Sequence, residues 1–147
     1  MKKMFLFYVL CIVFVLAQTG IAAIVSKESW EKESCPTSEN INDVSTVDAN
    51  NAWAVGDNGT VLRRTTAGWA AISGINSNYN LNGVHVLKSN TAYVWIVGVN
   101  KSTGYGVLVK TITGNNTTPS WTEVTIAQAL PTTFMAVKFN DELILGF

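Results

Sequence analysis

The sequence has 147 residues, with 10 basic and 10 acidic side chains, one His and two Cys. Without residues 1–25 the chain carries 8 basic and 10 acidic side chains, a charge of minus two that argues against a dedicated nucleic-acid binder, which needs a basic stripe to replace phosphate counterions. So few His and Cys exclude most His/Cys metal clusters and any disulfide framework, and no cofactor is expected.

The chain opens on Met1-Lys2-Lys3, followed by an uncharged run from Met4 to Ala17 and then the small residues Gly20, Ala22 and Ala23. A short positive region, an apolar stretch and small residues make a secretory signal peptide over residues 1–25. A retained membrane anchor over residues 4–25 is the alternative, and would make an N-terminal hydrophobic helix. Both put the remainder outside the cytoplasm, secreted or tethered, because the lysine pair stays inside. Cys11 follows Leu10, whereas lipid attachment wants a small residue there. Residues 26–40 (SKESWEKESCPTSEN) are charged and without alternation, the texture of a linker or a short frayed helix. Cys35 within it is an incidental free thiol or a bridge to another chain.

From Ile41 onward the pattern changes to short β-branched and aromatic runs broken by Gly, Asn, Asp and Ser, which predicts antiparallel strands. Helical periodicity is confined to a brief stretch over residues 126–130, ended by Pro131. Asp57-Asn58-Gly59-Thr60 predicts a type I′ hairpin turn joining a strand over 52–56 to one over 60–65, since both central residues of that turn need positive φ.

The runs repeat. Units start at Ile41, Leu81 and Phe134, 40 and 53 residues apart. Asn42 matches Asn82, and Val44 matches Val84 and Val137. Trp53 matches Tyr93, with a two-residue insertion holding Trp95 before the Val-Gly ends at Gly56 and Gly98. Periods of about 40–50 residues with four short strands each are the mark of propeller blades. The expected fold is therefore all-β: blade 1 over 41–80, blade 2 over 81–133 and a partial blade 3 over 134–147.

The stretch Val47-Asp48-Ala49-Asn50-Asn51-Ala52-Trp53-Ala54-Val55-Gly56-Asp57-Asn58-Gly59-Thr60-Val61-Leu62-Arg63 resembles a blade of the photosystem II assembly-factor-like propellers, within the wider sialidase-type (BNR, Asp-box) repeats. The resemblance implies four-stranded blades around an axis, in secreted or membrane-associated proteins. The chain departs from that pattern at the Asp-box turn. Thr65-Thr66-Ala67-Gly68-Trp69 keeps the Thr, one Gly and the Trp but lacks the Asp, so its turn should be held less tightly. About two and a half units are visible where propellers close with 4–8 blades. A truncated gene, assembly of several copies, or collapse into a small sandwich would each account for that.

His85, on a strand with no nucleophile or acid beside it in sequence, reads as a strand residue and not a general base. Trp30, Trp53, Trp69 and Trp121 read as packing residues, and Trp95 is the one that the repeat accounts for least. Arg63, Arg64 and Lys110 are the candidate basic patch for a protein partner, with Trp95 beside them, although adjacent Arg63 and Arg64 point to opposite faces of one strand. Asn58, Asn100, Asn115 and Asn116 fit the N-x-Ser/Thr rule and are candidate glycosylation sites on an exported chain. Asp141-Glu142 is a lone acidic pair and not a calcium site.

The expected role is that of an exported, non-enzymatic repeat protein acting in protein binding or assembly, with a protein partner or self-association through exposed blade edges. The alternatives are a remnant of a sialidase-like glycan-binding or glycan-hydrolysing propeller, and a truncated non-functional fragment.

Overall fold

The computed structural model describes residues 32–125 and 133–138. Alternating side chains and turn residues at short intervals produce eight strands. β1 (Ile41–Asp48), β2 (Asn51–Gly56), β3 (Val61–Thr65) and β4 (Gly68–Ala71) form one antiparallel sheet in chain order. β5 (Tyr79–Val86), β6 (Val94–Asn100), β7 (Gly106–Thr111) and β8 (Thr122–Glu123) form a second sheet of the same order. The all-β class and two four-stranded blades stand as read from the sequence. Residues 32–40 carry no helix or strand. The apolar segment over 1–25, with its expected helix, Trp30, the 126–130 stretch and Asp141-Glu142 lie outside the described residues. Among the described residues, no helix is long and apolar enough to cross a membrane.

The Asn-Gly turn forms as its chemistry requires. Asn58 has φ 54° and Gly59 φ 69°, and Thr60 N–H closes the turn on Asp57 O at 3.0 Å. It joins β2 directly to β3, with Trp53 opposite Arg63 and Val55 opposite Val61.

The repeat is visible in the register. β1 pairs with β2 with an irregularity between Ile41 and Asp43, and β5 pairs with β6 with one between Leu81 and Gly83, so Asn42 and Asn82 are the extra residues of equivalent bulges. Gly56 and Gly98 occupy equivalent places where the backbone of Asn40 or Asn80 passes too close for a Cβ. This close approach is the reason both units end on Val-Gly. Counting back from these glycines, Trp53 opposes Arg63 as Trp95 opposes Lys110. This corrects one reading of the repeat: the counterpart of Trp53 is Trp95, not Tyr93. The two extra residues fall in the connection between β5 and β6, where loop length is tolerated, and not inside a paired strand, where they would break the ladder.

An asparagine contact recurs at Phe134, where the sequence reading starts a third unit. Asn42 Nδ2 donates to Leu81 O at 3.0 Å, and Asn82 Nδ2 donates to Phe134 O at 3.0 Å. A Cβ on Gly83 would lie 2.8 Å from Ala136 Cα, so residues 134–138 approach β5 more closely than any side chain there would allow.

The core lies between the two blades. Trp53, Val55 and Val61 face Tyr79, Leu81, Val84, Val86, Val94, Ile96 and Val107. Trp53 is 1% exposed and meets Trp121 edge to face, with ring centroids 5.9 Å apart. Trp121 Nε1 donates to Ser73 O at 3.2 Å, so its one polar group is satisfied. Truncating Trp53 leaves a large void between the blades, and Trp53→Ala is expected to cost about 3–5 kcal/mol. Trp69→Ala, at a half-buried position, is expected to cost far less. Urea titrations followed by circular dichroism compare the two.

Candidate functional surface

Loops from both blades meet at one rim. The Asp57–Gly59 turn comes from blade 1, residues 76–80 span the end of the connection between the blades and the start of β5, and residues 101–105 form the turn between β6 and β7. Asp57 is the hub on the blade 1 side. Its Oδ1 accepts from Asn42 Nδ2 and its Oδ2 from Asn40 Nδ2, both at 3.0 Å, while its N–H donates to Asn40 O. These bonds stabilise the carboxylate, those from Asn42 and Asn40 first and the charge of Lys101 after them, and hold its pKa below the ordinary 3.8. Asn58 is tied on three sides. Its Nδ2 donates to Glu39 Oε2 at 2.7 Å, its N–H donates to Asn80 Oδ1 at 3.3 Å, and its Oδ1 accepts from Lys101 Nζ. Lys101 N–H reaches Asn78 O at 2.9 Å, and Asn78 Nδ2 donates to Asn100 Oδ1 at 2.9 Å and Ser102 Oγ at 2.7 Å. Asn100 Oδ1 also accepts from Ser102 N–H, which folds the 101–105 turn. The result is an exposed, pre-ordered surface of amides, with one cation and two carboxylates, crossing the blade boundary.

A second set of polar contacts lies between the inner strands. Asp43 Oδ2 accepts from Val84 N–H at 2.9 Å, and Ser45 Oγ accepts from Val86 N–H at 3.2 Å. With Asn42 on Leu81 O, three side chains of β1 satisfy three backbone groups of β5. Sequence reasoning missed this group. Its only signal is that Asn42, Asp43 and Ser45 are polar residues interleaved with Ile41, Val44 and Val47 on the inner strand.

The residues proposed as a basic patch are not brought together. Arg63 shares the face of Trp53, lies over its ring at 5.8 Å and donates to Asn116 O at 3.1 Å, in blade 2. Burial pushes its guanidinium pKa down. Arg64 lies on the opposite face and pairs with Glu33, through Nε at 3.0 Å and Nη2 at 2.5 Å. That pairing raises the Arg64 pKa and lowers that of Glu33. Lys110 stacks over Trp95 at 5.1 Å. This pair shares the face of Val97, turned away from blade 1, so the blade 2 sheet stands between Lys110 and Arg63. The reason is the repeat itself: Lys110 is the Arg63 of the next blade, and equivalent residues one blade apart point the same way.

Of the candidate glycosylation sites, Asn58 and Asn100 are structural members of the rim network. Asn115 Oδ1 accepts from Thr91 Oγ1 at 3.0 Å, and Asn116 is exposed. His85 is half-buried at the position equivalent to Ser45. Cys35 is exposed and free. No group of three or more His, Cys, Asp or Glu among the described residues could hold a metal ion. The turn that lacks the box Asp is held by Thr65 Oγ1, which accepts from Ala67 N–H at 3.2 Å.

Two antiparallel four-stranded sheets stacked in register are propeller-type blades. No family model and no curated protein matches the chain. Among solved structures it is similar to "YCF48 bound to D1 peptide", with a TM-score of 0.57 and 24% sequence identity over 76% of this chain. The match takes in 34% of that chain, so this sequence spans about a third of its length. The likeness shows the propeller fold.

Because the Asp57 pKa is lowered on folding, its contribution to stability is fully present above the ordinary 3.8 and is lost as pH falls through the lowered value. Asn42→Ala removes the largest cause, so the Asp57 pKa is expected to rise toward 3.8. NMR titration of its carboxyl carbon reads the shift, and the acid limb of stability should move up in pH with it.

Proposed function

We propose that this chain is a non-enzymatic propeller-type module of the assembly-factor-like, Asp-box kind, exported or tethered outside the cytoplasm, that binds a protein partner through its rim loops. The observation that carries this reading is the rim network itself. Loops held by two rigid sheets present fixed amide donors and acceptors, with Lys101, Glu39 and Asp57, to solvent. Such a surface suits the main-chain and side-chain amides of a peptide segment. The likeness in fold to a structure of YCF48 with a bound peptide supports the same direction. Arg63 and Arg64, on opposite faces, do not make the arginine cluster that a sialic acid carboxylate needs.

A photo-crosslinking residue at Ser102, in cells of the source organism, tests the reading. One recurrent protein adduct is expected, reduced several-fold when Lys101→Ala is added. No protein adduct, or release of fluorophore from a sialoside by the purified chain, would overturn it.

A further inference from the structure

The dipeptide Asn-Gly occurs twice in this chain, at Asn58-Gly59 and at Asn82-Gly83. In this pairing the asparagine side chain is readily attacked by the next backbone nitrogen, because glycine has no side chain in the way. The fold places the two pairs differently. Asn82 is half-buried in β5, and its Nδ2 donates to Phe134 O. Gly83 is buried in the ladder opposite Val97, with Ala136 Cα 2.8 Å from where its Cβ would be. Asn58 is exposed in the turn between β2 and β3, at φ 54° and ψ 38°. The hydrogen bonds that its side-chain amide makes with Glu39 and Lys101 are exposed, so water competes for them and releases the amide to turn toward Gly59. The turn cannot replace Gly59 with a bulkier, slower neighbour. Its φ is 69°, and a Cβ there would lie 2.6 Å from Asn76 O.

We propose that Asn58 is a site of spontaneous deamidation that rewires the rim. The Gly59 nitrogen gives its proton to water and bonds to Asn58 Cγ. The Cγ–Nδ2 bond breaks, and Nδ2 takes up a proton from water and leaves as ammonia. Water then opens the cyclic imide at one of its two carbonyls, leaving aspartate or its β-linked isomer at position 58. Water is the only co-reactant. The consequence follows from the contacts of Asn58. Its Nδ2 donates to Glu39 Oε2 at 2.7 Å, and a carboxylate in its place has no proton to give and repels Glu39. Lys101 keeps an oxygen to donate to. The rim passes from two carboxylates and one cation to three carboxylates and one cation, and Glu39 is released from the turn. This step depends on the rim geometry and not on a partner, so it and the peptide-binding reading fail separately.

The test is incubation of the folded full-length chain in mild detergent, at mildly alkaline pH and body temperature, with peptide mass mapping over time. Conversion is expected at Asn58, many-fold faster than at Asn82. In urea the two sites should convert at similar rates, which assigns the difference to the fold. Asn58→Asp supplies the α-linked product directly, and the NMR contacts between the side chains of residues 39 and 58 seen in the unaged wild type should disappear in it. If that variant does not keep its β spectrum by circular dichroism, the converted wild type, separated by ion exchange, gives the same reading. No conversion at Asn58 in the folded chain, equal conversion at Asn58 and Asn82 there, or contacts between residues 39 and 58 that persist in the product would overturn the proposal.

Discussion

The innermost strand of a blade is paired along one edge only. Its other edge presents backbone N–H and C=O groups that must find partners elsewhere, because an unsatisfied group away from water costs about 1–3 kcal/mol. β5 solves this with side chains from the blade before it: Asp43 accepts from Val84 N–H, Ser45 accepts from Val86 N–H and Asn42 Nδ2 donates to Leu81 O. A backbone edge is thereby closed without another strand being added to it. These bonds fix the register of blade 2 on blade 1 to the residue.

Packing between the blades follows from that register. With β5 held at Val84 and Val86, the alternate residues of β5 and β6 face Trp53 and Val55, and the Trp53 ring is met edge to face by Trp121. Arg63 roofs the same ring and reaches the backbone of Asn116, so even the cation belongs to the blade contact. The rim sits at the end of this arrangement. Asn42 bonds Leu81 O and Asp57 at once, linking the inner-strand contact to the loops where a partner would bind.

Much of the fold was legible in the sequence, because its signals are local or periodic. Asn58-Gly59 states its turn in two residues. The offsets from Ile41 to Leu81 and from Leu81 to Phe134 reappear as two equivalent asparagine bonds, Asn42 to Leu81 O and Asn82 to Phe134 O. Trp95 was misplaced because an insertion in a connection and one in a strand look alike until the ladder is seen, and only the pairing with Lys110 separates them. Of the candidate surface, the site residues chosen for charge were dispersed by the repeat, which sends Arg63 and Lys110 to successive blades. The rim and the inner-strand contacts stayed hidden for another reason. Asn58 with Lys101, or Asp43 with Val84, are joined across some forty residues, and an asparagine-rich sequence offers many such pairs with nothing local to choose among them.

Amide hydrogen exchange at Val84 and Val86 tests the central claim most directly, by comparing wild type with Asp43→Ala. The account predicts slow exchange at both amides in the wild type. In the variant, exchange at Val84 should be many-fold faster, while the amides paired between β2 and β3 stay protected. Equal exchange at Val84 in the two proteins would mean that the side chain of Asp43 does not close the edge of the next blade, and would contradict it.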